Sequence, residues 1–324
     1  MKSLSERLGP VLADRLAVPL IAAPMFRLSG PELVIAVCRA GAIGAFATST
    51  CRSPDELDDW LGHMRDALSE PDSGRHPAPV CANLIIRQAR LEADLDVLVR
   101  NRVKMVITSV GSPAPVVAPL HAVGAKVFAD VASIAHAEKA VAAGADGLVL
   151  LTAGAGGQTG WANPFAFARA VRSFFDGPMV LAGGVSDGHA LWAARVLGFD
   201  LGYMGTRFLA TPESRAADTY RRMLVESRLD DVMTTKAFTG LQTNMLVPSI
   251  IAAGLDPATL TDEVTPTEAR ELYGAGGTGP QRWTEVFSAG HSVSGIDEIL
   301  PAAEIVRRTA IEYAAARKAS AELE

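Results

Sequence analysis

Cysteine is scarce in this chain. Cys38, Cys51 and Cys81 are the only three in 324 residues and form no C-x-x-C pair, which disfavours a disulfide framework and a thiolate metal site. The six histidines, His63, His76, His121, His136, His189 and His291, fall at no metal-ligand spacing, so no metal is expected. Basic charge is not in excess: 30 Lys and Arg face 36 Asp and Glu, a net charge of −6. That balance argues against nucleic acid or an anionic membrane as the partner. The N-terminus lacks a basic region followed by a long apolar stretch. Val18–Met25 is too short to span a bilayer and is broken by Pro19 and Pro24. A soluble, cytoplasmic protein in a reducing setting is the expectation. No G-x-G-x-x-G follows the first apolar run, which disfavours a Rossmann domain.

What is present is abundant apolar sequence, 49% of the chain, enough for one large core with a lesser lobe. Short apolar runs alternate with helix-like stretches. The runs are Val18–Ala23, Ala42–Ala47, Val80–Ile85, Val103–Thr108, Ala125–Asp130, Gly147–Leu151, Met179–Ala182 and Leu201–Met204. Most are apolar on both faces, as strands buried on both sides must be. Helix starts follow several of them: Ser53-Pro54-Asp55-Glu56 sets a cap, a first-turn proline and a Glu three residues on, and Asn163-Pro164 repeats the cap and proline. Further helices are expected after Pro31, near Leu91–Arg100, after Ser112-Pro113, over Ser133–Ala143, from Ser186 to about Leu197, and from Thr211-Pro212-Glu213. Eight such repeats in roughly 225 residues predict an α/β fold of the (β/α)8 TIM-barrel type.

The rhythm breaks near Arg228. Residues 228–295 are predicted to form an inserted lid lobe over the barrel mouth. They include the glycine-rich stretch Tyr273-Gly274-Ala275-Gly276-Gly277-Thr278-Gly279. Residues 1–227 with a returning helical segment, Ile296–Ala319 within 296–324, make up the barrel.

Two glycine-bearing turns carry the strongest chemical signal. Ala182-Gly183-Gly184-Val185 and Met204-Gly205-Thr206-Arg207 each follow a strand and precede a helix. Adjacent turns of this kind point bare backbone N–H groups at one spot, and in an eight-fold barrel the loops after strands 7 and 8 commonly hold a phosphate. Other strand ends supply Ala23-Pro24-Met25, Asn83, Thr108-Ser109-Val110-Gly111 and Asp130. The loop after the sixth strand holds four glycines and three alanines within Thr152–Ala162, a density that lets backbone approach a flat ligand closely. Asp146 opens the sixth strand and reads as structural. Asp130 reads equally as a mouth residue, a helix cap or a salt-bridge partner. His189 reads as a helix-surface residue close to the cradle, and His291 can reach the mouth from the lobe. Lys126 stands at the start of its strand, the wrong end for an aldolase-type lysine.

These segments, in this order, resemble the nitronate monooxygenase family. The likeness rests on Ala23-Pro24-Met25, Asn83-Leu84, Gly144-Ala145-Asp146-Gly147, Ala155-Gly156-Gly157, Ala182-Gly183-Gly184-Val185 and Gly205-Thr206-Arg207-Phe208. It implies FMN and no metal. The phosphate would lie on Gly183, Gly184, Gly205 and Thr206. Asn83 and the Ala23, Pro24 and Met25 backbone would hold the ring, with Gly156 beside it. The chain departs from the family where an acid and a histidine are usual: Gly154 and Gln158 stand there. Leu151 and Tyr203 stand where glutamines are common. Glutamine cannot act as a base, so Gln158 is expected to hydrogen-bond the substrate.

The resemblance implies an oxidoreductase that turns alkyl nitronates and dioxygen into carbonyl compounds and nitrite. An NAD(P)H-dependent FMN reductase of quinones or enoyl thioesters is the alternative, and a flavin-binding protein without turnover is a third reading. A small-molecule substrate is expected, with NAD(P)H and a homodimer left open.

Overall fold

In the computed structural model of this chain, residues 3–71, 74–274 and 276–322 are described; Ala275, in the glycine-rich stretch of the expected lobe, lies outside them, as do the chain's first two and last two residues. Eleven strands run in chain order among the described residues. They are β1 (Leu20–Ala22), β2 (Ile43–Ala47), β3 (Val80–Ile85), β4 (Met105–Ser109), β5 (Lys126–Val131), β6 (Gly147–Leu151), β7 (Gly157–Gln158), β8 (Met179–Ala182), β9 (Leu201–Met204), β10 (Val232–Thr235) and β11 (Thr243–Leu246). Eight of them close a parallel barrel in the order β1-β2-β3-β4-β5-β6-β8-β9. The ring is sealed where Leu20, Ile21 and Ala22 pair with Gly202, Tyr203 and Met204.

The two-sided apolar pattern of the strands has a direct cause. One set of residues fills the barrel interior: Ile21, Ile43, Ala45, Cys81, Met105, Ile107, Phe128, Val149, Val180, Ala182 and Leu201 are all buried, and Leu8 and Leu12 join them from the N-terminal helices. The alternate residues face outward into two clusters shared with the surrounding helices. Period-two alternation therefore places Asn83, Asp130, Leu151 and Tyr203 one layer above the interior core, since each lies two residues beyond an inward-facing neighbour.

Local chemistry sets most helix ends as the sequence predicts. Ser53 Oγ accepts from the Glu56 amide at 3.1 Å and opens Pro54–Ala67. The Glu56 carboxylate does not return to the cap. It accepts instead from the Arg52 backbone at 2.6 Å. Asn163 caps Pro164–Arg172, and Asp187 caps Gly188–Leu197 by accepting from the Ala190 amide at 2.8 Å. The Thr211-Pro212-Glu213 helix start is corrected. Thr211 Oγ1 does accept from the Ser214 amide at 3.1 Å, but the chain turns away because the Arg215 amide donates to Leu28 O at 2.9 Å. The helices there are Thr206–Leu209 and Asp218–Glu226. Glu213 serves another helix: its carboxylate accepts from the Ala302 amide at 3.1 and 3.2 Å, at the start of Ala302–Ala321.

That final helix begins at Ala302 rather than Ile296. It fills the place of the barrel's eighth helix, beside Gly188–Leu197. Trp192 and Tyr313 meet edge to face at 5.6 Å. A Cβ on Gly188 would stand 2.2 Å from the Tyr313 nitrogen, so the two helices touch at the backbone. At the opposite end of the barrel from the mouth, buried Asp200 accepts from Arg172 at 2.7 Å and Arg195 at 3.0 Å, and pairs with Arg7 at 3.2 Å.

Between β9 and the final helix, β10 and β11 form an antiparallel pair. The third strand of that small sheet is β7, taken from the glycine loop after β6. Among the described residues no helix is long and apolar enough to cross a membrane.

Candidate functional site at the barrel mouth

The segments singled out in the sequence converge at the C-terminal ends of the barrel strands. The Ala23 amide donates to Met204 O at 2.9 Å, so the loop after β1 lies against the turn after β9. Ser29, fully buried, donates to Ala23 O at 3.4 Å and accepts from the Met25 amide at 3.0 Å, which fixes the Ala23-Pro24-Met25 backbone. A Cβ on Gly205 would lie 3.5 Å from Ala23 Cβ and 3.8 Å from the Met25 sulfur. Asn83, on β3, is held from β4: its Nδ2 donates to Ile107 O at 3.2 Å and reaches Ser109 Oγ at 3.4 Å.

The turn after β8 needs its glycines for two different reasons. Gly183 sits at φ +123°, and a Cβ there would stand 2.5 Å from Thr152 Oγ1. Gly184 sits at φ +78°, and a Cβ there would meet nothing within 4 Å. The first residue is glycine because neighbouring chain crowds it. The second faces open space, with an amide that has no acceptor among the described residues. The first-turn amide of Thr206 is free for the same reason as any helix start. Bare amides at two adjacent turns beside open space suit a phosphate dianion, so the residues present fit the group that the sequence implies.

The glycine loop after β6 is clamped rather than loose. The Gly157 amide donates to Ser288 Oγ at 2.7 Å, and Asn244 Nδ2 donates to Ala155 O at 2.8 Å. The Gly290 amide donates to Thr206 Oγ1 at 2.9 Å. A Cβ on Gly156 would lie 2.9 Å from that same Gly290 nitrogen. Ser288 is anchored in turn by the Tyr220 hydroxyl, which donates to its carbonyl. Ser288, Asn244 and Tyr220 carry no sequence signal, because their importance arises only from the pairing of β7 with β11.

Gln158 is exposed on β7, opposite Thr243. His291 does reach this rim. Its amide donates to Gly154 O at 2.9 Å, and a Cβ on Gly154 would stand 2.8 Å from His291 Nδ1. The absence of an acidic side chain at 154 and the presence of a histidine at 291 are thus a single packing solution.

Asp146 is structural, as expected: it accepts from Lys126 Nζ and from the Val127 amide, each at 2.8 Å, and pairs with His121 at the same distance. These partners hold its carboxyl below the usual range against the opposing effect of burial. Asp130 is neither a cap nor half of an ion pair. It stands on β5, half-buried overall with Oδ1 enclosed and without a hydrogen-bond partner, and its desolvation pushes the pKa up to about 7. Tyr203, above Leu201 on β9, is raised further by burial and by the nearby Asp130. Thr48 Oγ1 and Ser49 Oγ, just beyond β2, are also enclosed and unpartnered. His189 is exposed, and its ring lies within 4.8 Å of ligand atoms of Asp187 and Glu312. Both carboxylates already accept backbone hydrogen bonds, from Ala190 and Gly188.

Arg27 and Arg270 lie near enough to Arg282 to act on its charge. Arg282 donates to Phe238 O at 3.0 Å, and its guanidinium is pushed down by burial first and then by Arg27 and Arg270.

A family model described as nitronate monooxygenase matches residues 75–311. A nitronate monooxygenase of Paraburkholderia phytofirmans is 26% identical, covering 74% of this chain and 76% of its own length. The (3aS,4S,5R,7aS)-5-hydroxy-7a-methyl-1-oxo-octahydro-1H-indene-4-carboxyl-CoA dehydrogenase of Rhodococcus jostii is also 26% identical over 72% of this chain, and the match spans 64% of that protein's length. Among solved structures, a nitroalkane oxidase from Streptomyces ansochromogenes superposes with a TM-score of 0.77 at 27% identity, covering 95% of this chain and 99% of that one. FabK from Thermotoga maritima shares the fold, with a TM-score of 0.80 at 24% identity and full coverage of both chains.

Proposed function

Because the chain belongs to the nitronate monooxygenase family, we propose that it is an FMN-dependent oxidoreductase that converts alkyl nitronates and dioxygen into carbonyl compounds and nitrite. The observation that carries this reading is the pair of glycine turns after β8 and β9, with a free amide at Gly184 beside open space and the helix start at Thr206 next to it. FMN, when bound, supplies the electron acceptor. Its phosphate would lie on Gly183, Gly184, Gly205 and Thr206. Its ring would rest on the fixed Ala23, Pro24 and Met25 backbone, with Asn83 and Gly156 beside it.

The remaining groups orient and enclose. Gln158 carries an amide that can donate to the nitro oxygens. Residues 228–295 act as the lid, tied to the glycine loop through β7 and β11, over a barrel formed by 1–227 and 296–324. Closing that lid excludes water and strengthens each polar contact beneath it. The test uses purified protein reconstituted with FMN and given propyl-2-nitronate in air. Nitrite and acetone should appear together. Flavin that stays oxidised under anaerobic nitronate, with no nitrite in air, rules this function out.

A second reading draws on these arginines. Arg27 and Arg270 act on the charge of Arg282, and neighbouring cations of this kind suit the phosphates of a coenzyme A thioester. An NAD(P)H-dependent reductase of such a thioester, or of a quinone, would use the same barrel. Rapid anaerobic bleaching of the flavin by NADH or NADPH would favour it.

A further inference from the structure

Gln158 leaves the glycine loop without an ionisable side chain, yet the adjacent strand β5 holds one. Asp130 occupies the inner face of β5, two residues above buried Phe128 and in the same layer as Asn83 and Tyr203. Its Oδ1 is enclosed and accepts no hydrogen bond. The neighbouring strands offer it nothing. On β4, the Thr108 hydroxyl is spent on Phe128 O at 3.1 Å and the Ser109 hydroxyl on Asn83 at 3.4 Å. On β6, the residues at this level are Val149 and Leu151. The ionisable groups that face Asp130 are Cys81 on β3 and Tyr203 on β9, both raised by burial and so neutral at physiological pH. No lysine or arginine pairs with it among the described residues.

A carboxylate without a counter-charge is expensive to bury, and an orphaned buried oxygen calls for a task. Here it lies at the strand ends where this fold does its chemistry. We propose that Asp130 is the acid–base residue of this site, exchanging a proton with the substrate that lies over the mouth. The proposal rests on the flavin-oxidoreductase reading above. With a neutral nitroalkane, the Asp130 carboxylate takes the α-proton. The C–H bond breaks, its electron pair becomes the C=N bond of the nitronate, the N=O π pair moves onto a nitro oxygen, and the proton ends on the Asp130 carboxyl. Oxidation of the nitronate then follows as already proposed. The burial that lifts this carboxyl toward neutrality suits it to the step, because a base is most effective when its pKa lies near the working pH.

Two measurements on wild type, Asp130→Asn and Asp130→Glu test this. The first needs neither flavin nor substrate. A raised carboxyl confers stability that is complete at low pH and lost as pH rises through the folded-state value. The wild-type unfolding midpoint should therefore fall as pH rises from about 4 to about 7, a loss that Asp130→Asn should lack. The second compares 2-nitropropane with its preformed nitronate. Asp130→Asn should lose turnover of the neutral form by about 100-fold or more and keep that of the nitronate, with Asp130→Glu recovering part of the loss. Wild type active on nitronate alone, or an Asp130→Asn variant still active on the neutral form, overturns the proposal and leaves the flavin reading standing. Flavin-loaded wild type inert toward both overturns the two together.

Discussion

Replacing Gly184 by alanine separates the cradle from the fold. Gly184 has φ +78° and nothing within 4 Å of where a Cβ would stand. The fold therefore loses only the left-handed backbone penalty, about 1–2 kcal/mol. For a chain of this size that lowers the melting temperature by only a few degrees, at about 2–4 °C per kcal/mol. The ligand loses far more. The new methyl occupies the space beside the free amide, so one charge-assisted hydrogen bond to the phosphate is broken and a second is lengthened. At about 1.5–3 kcal/mol for each bond to a charged group, a total near 2–4 kcal/mol weakens FMN binding by roughly 30- to 1,000-fold. Riboflavin has the same ring and no phosphate, and its affinity should hold within about threefold, as expected for a contact it never makes. The assay is quenching of flavin fluorescence by flavin-free protein, run with both ligands. An FMN affinity that is unchanged, or that falls in step with riboflavin, refutes the assignment of this turn to the phosphate.

Two further substitutions probe the frame around the mouth. Asp200→Asn leaves Arg7, Arg172 and Arg195 gathered around a neutral group. It should cost about 3–5 kcal/mol in urea unfolding, and a loss under about 1 kcal/mol would show the cluster to be idle. Asn244→Ala strips Ala155 O of its donor in a buried setting. About 1–3 kcal/mol of stability should go, with faster protease cleavage within residues 153–160; unchanged cleavage would mean the loop is held by other contacts.

The barrel was legible because its strands announce themselves. Runs such as Gly147–Leu151 and Met179–Ala182 are apolar throughout, and both coincide with observed strands. That same uniformity hides which residue faces inward, which is why Asp130 was ambiguous as sequence and is unambiguous as structure. Helix starts that depend on neighbours in the chain, Ser53 and Asn163, were readable. Thr211 was not, since a pairing with Leu28 across the fold decides its course. The two residues of β7 have no strand character of their own. Gly157 and Gln158 become a strand only because Asn244 and Thr243 arrive from almost ninety residues later. The cradle glycines are legible from their spacing after two apolar runs. Ser288 and Asn244, which grip the loop, belong to ordinary polar sequence.

The eighth helix of the barrel comes last in the chain, after the lobe is complete. The groove beside Gly188–Leu197 stays empty until Ala302–Ala321 is made. At about 5–20 residues per second, a ribosome needs roughly 5–20 s to travel from β9 to that helix. During the interval eight strands can pair, yet the outer wall has a missing stave, and the side of the helix that carries Gly188 and Trp192 faces water. A truncation that removes Ile305, Val306 and Thr309 would make that temporary gap permanent, so the tail that looks dispensable is the piece that seals the vessel.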